Sequence, residues 1–346
     1  MTDTTWKTTG LKLTRRGALA AAGATALAGV LPVRRAFAAD KVTLRTNWLF
    51  YGSHSIFFLG IDKGYYDQNS LDVVVKQGNG SGNTVRLVAN KDTTFAYASG
   101  VTMMKVAAQG APIVAVATID ATGTDAVLVN PDSGIKSFKD LEGKKVLTTA
   151  GAGVNTMFPV AAANAGADVS KIELTNVAES ALVSSYLQGL APAYLGGIDN
   201  GPAEIEANGG KPPFILNYAD FGVYQPGYAI VAHRDMVKDN PDLVKRFVKG
   251  TLMATKEALA NPDEAIQSLI NWQASVEDEK QKKQARQVLD VTLSILYSPN
   301  NKNKRLGYNV PGDWAAALDM LQKYTDLKTD MKPEDFYTND FVPESI

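Results

Sequence analysis

Residues 42–76 read VTLRTNWLFYGSHSIFFLGIDKGYYDQNSLDVVVK. The β-branched and apolar run Val42–Trp48 reads as a strand. A Gly-Ser-His turn follows at Gly52-Ser53-His54, and His54–Tyr66 has the apolar spacing of a helix. Leu71–Lys76 is a second Val-rich strand. Strand, helix, strand is the unit of a largely parallel α/β sheet. In such sheets ligands sit at the carboxyl ends of strands, where helix N-termini leave free N–H groups. The segment therefore indicates a fold class, α/β, and a place to look for a site.

The pattern repeats outward from this segment. Asn83–Asn90 reads as a helix after Gly78-Asn79-Gly80-Ser81-Gly82. Thr94–Ala98 and Ile113–Ile119 are strands around a helix at Val101–Gln109. Ala126–Asn130 is a strand ended by Pro131. A second set follows, with strands Lys144–Thr149, Ile172–Val177, Ala193–Ile198 and Phe214–Tyr218. Its helices are Asn155–Ala165, Ala181–Leu190 and Pro202–Ala207. Tyr228–His233 resumes as a strand after Pro226-Gly227. Two α/β sets joined by extended connections near Val127–Asn130 and Gly227–Ala232 describe two lobes with two hinge crossings. The expected divisions are 40–129 for the first part of lobe 1, 130–227 for lobe 2, and 228–346 for a return strand plus helices. Asn240-Pro241 and Asn261-Pro262 mark helix starts in that last part. Glu277–Arg286 reads as a solvated charge run, and Asp313–Tyr324 as an amphipathic helix.

Residues 1–39 differ from the rest. They hold six basic residues and one acid, a charge of +5, while the whole 346-residue chain carries −1. The remainder is therefore at −6. A basic n-region, an apolar stretch Gly17–Val33, and Ala36-Phe37-Ala38 before Ala39 make a secretory signal peptide with cleavage near Ala38. The apolar stretch is shorter than the ~20 residues that span a bilayer. Thr14-Arg15-Arg16-Gly17-Ala18-Leu19 resembles the twin-arginine export motif, with Ala18 at the usual Phe position. The expected location is the periplasm. With no Cys, no lipid anchor is expected.

Composition excludes much chemistry. Without Cys there is no disulfide, thiolate nucleophile or Cys-ligated metal. Two His cannot form a three-His metal site. Balanced charge argues against nucleic-acid binding. A Ser nucleophile elbow at Ser81 fails for want of Gly at Asn79 and Asn83, and no phosphate loop exists. Neither cofactor nor metal is expected, and a binding protein is favoured over an enzyme. Four polar or Gly-rich junctions stand at the expected strand ends: Gly52-Ser53-His54, Gly80–Asn83, Ser99-Gly100 and Gly151–Thr156.

The chain resembles the periplasmic solute-binding proteins of ABC transporters for nitrate, sulfonate, taurine and thiamine-pyrimidine precursors. Asn47-Trp48-Leu49-Phe50-Tyr51-Gly52-Ser53-His54, Gly60-Ile61-Asp62-Lys63-Gly64-Tyr65-Tyr66 and Leu71-Asp72-Val73 carry the resemblance. Gly110-Ala111-Pro112-Ile113, Phe138–Lys145 and Asn240–Val248 extend it. Phe50-Tyr51 replaces the usual Pro-Asn of the pyrimidine branch. The resemblance implies a type II periplasmic-binding fold, a small-molecule ligand and an inner-membrane permease as partner. A monomer is expected. One alternative is an enzyme like the fungal thiamine pyrimidine synthase of the same fold. Its cofactor Lys would fall on Ala98, its donor His on Thr102, and its Cys-rich loop near Tyr224–Tyr228. A second alternative is an anion-binding protein of the sulfonate, taurine or nitrate type. A sensor or adaptor role is a third, without a further domain to support it.

Candidate ligand residues follow. Trp48, at a strand end, is placed to stack on a flat ring. His54 is placed to donate to a ring nitrogen or carbonyl. Ser99 offers a hydroxyl at a helix start. Asn83 and Asn155 either cap helices or reach the ligand. Asp199, with Asn200, could accept from an amino group or cap a helix. Tyr224 and Tyr228 flank Pro226-Gly227. Arg45 and Arg86 are the only Arg residues between Lys41 and Val129, and neither sits at a strand's carboxyl end. An aromatic heterocycle is therefore expected over a strongly anionic ligand.

Overall fold

The computed structural model describes residues 39–272, 278–301 and 303–346. The expected signal segment, with Arg15, Arg16 and Ala38, lies outside the described residues. So does Glu277 of the charge run.

Ten strands form two five-stranded sheets. The first sheet is ordered β2-β1-β3-β10-β4. Its strands are β1 (Asp40–Arg45), β2 (Leu71–Lys76), β3 (Phe95–Ser99), β4 (Ile113–Thr118) and β10 (Tyr228–His233). The second is ordered β7-β6-β8-β5-β9. It contains β5 (Asp125–Val129), β6 (Lys145–Thr148), β7 (Glu173–Asn176), β8 (Ala193–Gly197) and β9 (Phe214–Asn217). β1 runs parallel to β2 and β3, and β6 parallel to β7 and β8. In each sheet the antiparallel strand is the one that arrives from the other lobe. β10 pairs antiparallel with β3 and β4, and β5 antiparallel with β8 and β9.

This pairing moves the first crossing upstream of its expected position. β5 lies wholly in the second sheet, so the chain crosses before Asp125 and not near Val127–Asn130. Lobe 2 accordingly begins at β5 and not at residue 130. The second crossing ends at Tyr228, where β10 joins the first sheet. The two crossings pack closely: a Cβ on Gly227 would collide with the carbonyl oxygens of Asp120 and Thr122.

Burial explains the strand sequences. β3, β4 and β5 are buried along their whole length and read as unbroken apolar runs. Both faces of β3 and β5, inside their sheets, are covered, and β4 is buried although it ends its sheet. β2, at a sheet edge, alternates buried and exposed at its start. Tyr66 has a structural role. Its ring stacks 5.7 Å from Phe247. A Cβ on Gly60 or Gly250 would approach it to 2.7 or 2.9 Å. The Gly60–Tyr66 motif thus packs α1 (Ser55–Asp62) against the long helix Pro241–Ala260.

The helix Glu279–Ser294 touches both lobes, at the Gly52–His54 turn and at the helix Gly201–Ala207. Gly52 permits the first contact, because a Cβ there would overlap the Ala285 carbonyl oxygen. Among the described residues no helix is long and apolar enough to cross a membrane.

Candidate functional site

A cavity of about 130 Å³ lies between the two sheets, beside the crossings. Its walls differ. Lobe 1 contributes Asn47, Trp48, Leu49, Tyr51, Ser81 and Tyr228. Lobe 2 contributes Asp125, Thr149, Glu179, Tyr194, Asp199 and Glu204, with the backbone of Gly196 and Gly197. Among the described residues no Lys, Arg or His lines it.

The lobe 1 wall is held by the loop after β1. Thr46 Oγ1 donates to the Trp48 carbonyl at 2.8 Å, and Gly78 N–H to the same oxygen at 3.1 Å. These bonds fix the backbone at Trp48. The indole is half-buried, lines the cavity and makes no ring contact with another aromatic side chain among the described residues.

His54 lies behind this wall. It is fully buried and does not line the cavity. The Tyr51 N–H donates to its Nδ1 at 3.4 Å. Because that nitrogen accepts, Nε2 carries the proton and donates to Asn47 Oδ1 at 2.9 Å. Burial lowers the imidazole pKa to about 3, so the ring is neutral. Asn47 Nδ2 in turn donates to the Tyr51 hydroxyl at 3.4 Å. His54 therefore positions Asn47 and Tyr51, and the expected direct bond to a ligand is not what the fold offers.

The lobe 2 wall is acidic. Asp199 follows β8 and is buried, and Thr124, Tyr51 and the Asn200 N–H hydrogen-bond its carboxyl. Burial outweighs these bonds and raises its pKa. Asp125 starts β5. Burial pushes it up to about 6 against the 2.7 Å bond from Gln225 Nε2. Glu179 lies in a one-turn helix after β7. Burial, with Glu204 adding like charge, brings it up to about 7 despite the Leu49 N–H at 3.5 Å. Burial also raises Glu204. Deeper still, Asp120 accepts from the Tyr97 hydroxyl at 2.8 Å and is pushed up to about 8 by burial. Tyr97 packs 5.1 Å from Tyr228, which lines the cavity.

Of the expected site residues, Trp48, Asp199 with Asn200, and Tyr228 meet at one cavity. The others do not line it. Asn83 is exposed on the helix Ser81–Ala89. Asn155 is tied to Thr148 Oγ1 and to the Thr149 carbonyl at 2.9 Å. Ser99 is an N-cap whose oxygen accepts from Thr102 N–H at 3.5 Å. Tyr224 is exposed. Three of the four junctions form the seam where the lobes touch. Gly82 N–H donates to the Gly151 carbonyl at 3.5 Å, and Thr102 and Thr156 hydroxyls pair at 3.1 Å. A Cβ on Gly153 would sit 3.0 Å from Ser99 Cβ. The sequence reading did not single out Asp125, Glu179, Glu204 and Tyr194. Asn47 and Tyr51 lay inside the motif around Trp48, which was the available signal.

Two α/β lobes, two crossings and a ligand-sized cleft beside them define the type II periplasmic-binding-protein fold. The chain belongs to the NMT1/THI5-like family, whose model matches residues 52–265. It is 24% identical over 313 residues to riboflavin-binding protein RibY of Chloroflexus aurantiacus, covering 88% of this chain and 86% of that one. It is 23% identical to the formylaminopyrimidine-binding protein of Halalkalibacterium halodurans, covering 87% and 91%. An enzyme is also among its relatives: the 4-amino-5-hydroxymethyl-2-methylpyrimidine phosphate synthase THI13 of Saccharomyces cerevisiae, at 23% identity, covering 89% and 90%. The alkanesulfonate-binding protein SsuA of Xanthomonas axonopodis pv. citri, solved with MOPS, shares the fold at a TM-score of 0.67 and 13% identity, covering 88% and 100%.

Proposed function

We propose that the protein captures a small aromatic heterocycle of the aminopyrimidine type and delivers it to an ABC importer. One observation carries the reading: an indole and a wall of carboxyl acceptors line one cavity that has no lining cation among the described residues. A ring stacked on Trp48 would present amino hydrogens to Asp199 and Asp125. An anion would meet Asp125, Glu179, Asp199 and Glu204, and would gain no Arg. Arg45 Nη1 is engaged by the Gln77 carbonyl and Arg86 Nη1 by the Gly82 carbonyl. This disfavours a sulfonate or nitrate.

An enzyme like the synthase finds no support at the aligned positions. Ala98 is buried in β3, and Thr102 is paired with Thr156.

Titration calorimetry tests the reading. Wild-type protein should bind 4-amino-5-hydroxymethyl-2-methylpyrimidine and should bind neither taurine nor nitrate. Binding of the anions alone would contradict it. The same proposal places the protein in the periplasm, exported by way of Arg15 and Arg16 with cleavage near Ala38. Replacing both Arg by Lys should abolish periplasmic accumulation, and undiminished export would overturn that route.

A further inference from the structure

Four carboxyl groups face one small cavity, and all four come from lobe 2: Asp125, Glu179, Asp199 and Glu204. Gathering two buried acids, Asp125 and Asp199, beside two half-buried ones, Glu179 and Glu204, with no lining cation among the described residues costs free energy that a partner can offset. The protein offsets part of it. Gln225 serves one oxygen of Asp125, while Thr124 and Tyr51 serve Asp199. Among the described residues, Glu179 has only the Leu49 N–H. The Glu204 carboxyl has no hydrogen-bond or ion-pair partner among the described residues. A second observation points the same way. Thr149 Oγ1, in the same wall and 6% exposed, is buried without a partner. Among the described residues, no group of three or more acids or histidines is arranged to hold a metal ion. The opposing wall presents Trp48, Tyr51 and Tyr228, whose ring faces attract cations.

We infer that the ligand carries a protonated amine beside its ring, and that Glu179 and Glu204 select for it. This rests on the heterocycle reading above and sharpens it. Asp125 and Asp199 already have partners at the crossings and suit the ring's amino hydrogens. Glu179 and Glu204 repel one another, and a cation shared between them would turn that repulsion into attraction.

The test uses two probes that share one ring and differ in one group. These are 4-amino-5-aminomethyl-2-methylpyrimidine, an ammonium at neutral pH, and its uncharged 5-hydroxymethyl counterpart. Each is titrated into the protein at pH 7. The amine should bind at least about tenfold more tightly, the scale of one charge-assisted hydrogen bond. In the double variant Glu179→Gln/Glu204→Gln that preference should shrink to about twofold or less, whatever change the hydroxymethyl probe's own affinity shows. A single variant, Glu204→Gln, gives the same direction with less perturbation should the double variant melt early. Equal or tighter binding of the hydroxymethyl probe overturns the inference and leaves the heterocycle reading intact. An amine preference that survives both variants overturns the assignment to Glu179 and Glu204. Binding of neither probe overturns the heterocycle reading and this inference together.

Discussion

The two walls of the cleft are built from different chemistry. Lobe 1 offers an indole, two phenols and an amide: Asn47, Trp48 and Tyr51 from the loop after β1, and Tyr228 from the start of β10. Lobe 2 offers four carboxyls, most with fewer partners than their burial demands. The first wall offers ring surface, and the second offers carboxyls with no lining cation among the described residues. A ligand that bridges them therefore gains shape and stacking from one lobe and electrostatic pairing from the other. Closure is favoured when both are satisfied at once, which is how differential affinity shifts a two-state equilibrium.

The largest expected effect is on the acidic wall. Asp199→Ala removes a carboxylate acceptor worth ~1.5–3 kcal/mol to a bound donor. Affinity for the hydroxymethyl pyrimidine should fall by about ten- to a hundredfold in calorimetry. Retained affinity would show that lobe 2 does not hold the ring. The aromatic wall should be next. Trp48→Ala removes stacking worth ~0.5–1.5 kcal/mol along with the apolar area it buries, for about a tenfold loss. The melting curve should barely move, because the indole is only half-buried.

His54 separates contact from support. His54→Ala deprives buried Asn47 Oδ1 of its donor, at a cost of ~1–3 kcal/mol in stability. Denaturant midpoints should report that loss, while affinity falls by only a few-fold. A loss of affinity as large as that of Trp48→Ala, with unchanged stability, would put the imidazole on the ligand after all.

The acids also set a pH dependence. Asp120 titrates near 8 in the folded protein against 3.8 ordinarily, so the folded state holds a proton that the unfolded chain releases at lower pH. Stability of the ligand-free protein should then fall as pH rises from about 4 to about 8, by an amount on the order of a few kcal/mol. Asp125 and Glu179 add to the same slope. Asp120→Asn should flatten it in thermal melts at pH 5 and pH 8. An unchanged slope would contradict the placement of Asp120 in a cation-free interior. The smallest effect belongs to the seam. Gly153→Ala places a methyl 3.0 Å from Ser99 Cβ and should weaken binding by a few-fold without changing ligand preference.

The same contrast marks what the sequence could tell. Lobe 1's wall follows a strand–turn–helix unit with local signals, so Trp48 could be placed at a strand end from its neighbours alone. Most elements were legible for the same reason, and Tyr228–His233 matches its strand end to end. The first crossing was misplaced because Ala126–Asn130 reads as a strand without saying which sheet it joins. Only the pairing with β8 and β9 settles that. Lobe 2's wall was largely illegible. Glu179 and Glu204 lie 25 positions apart, one in a single turn and one in a short helix that begins at Gly201 and Pro202. Nothing local distinguishes them from solvated surface acids. His54 was legible as a special residue and not as a buried support, because its partners Asn47 and Tyr51 meet it only once the loop folds back.

The central claim is that one ring sits between an aromatic wall and an acidic one. A crystal structure of the protein with 4-amino-5-hydroxymethyl-2-methylpyrimidine tests it most directly. The account predicts the ring stacked on Trp48, with its amino nitrogen within hydrogen-bonding distance of the Asp199 or Asp125 carboxyl. A ring held by residues of one lobe alone, or bound outside this cleft, would contradict it.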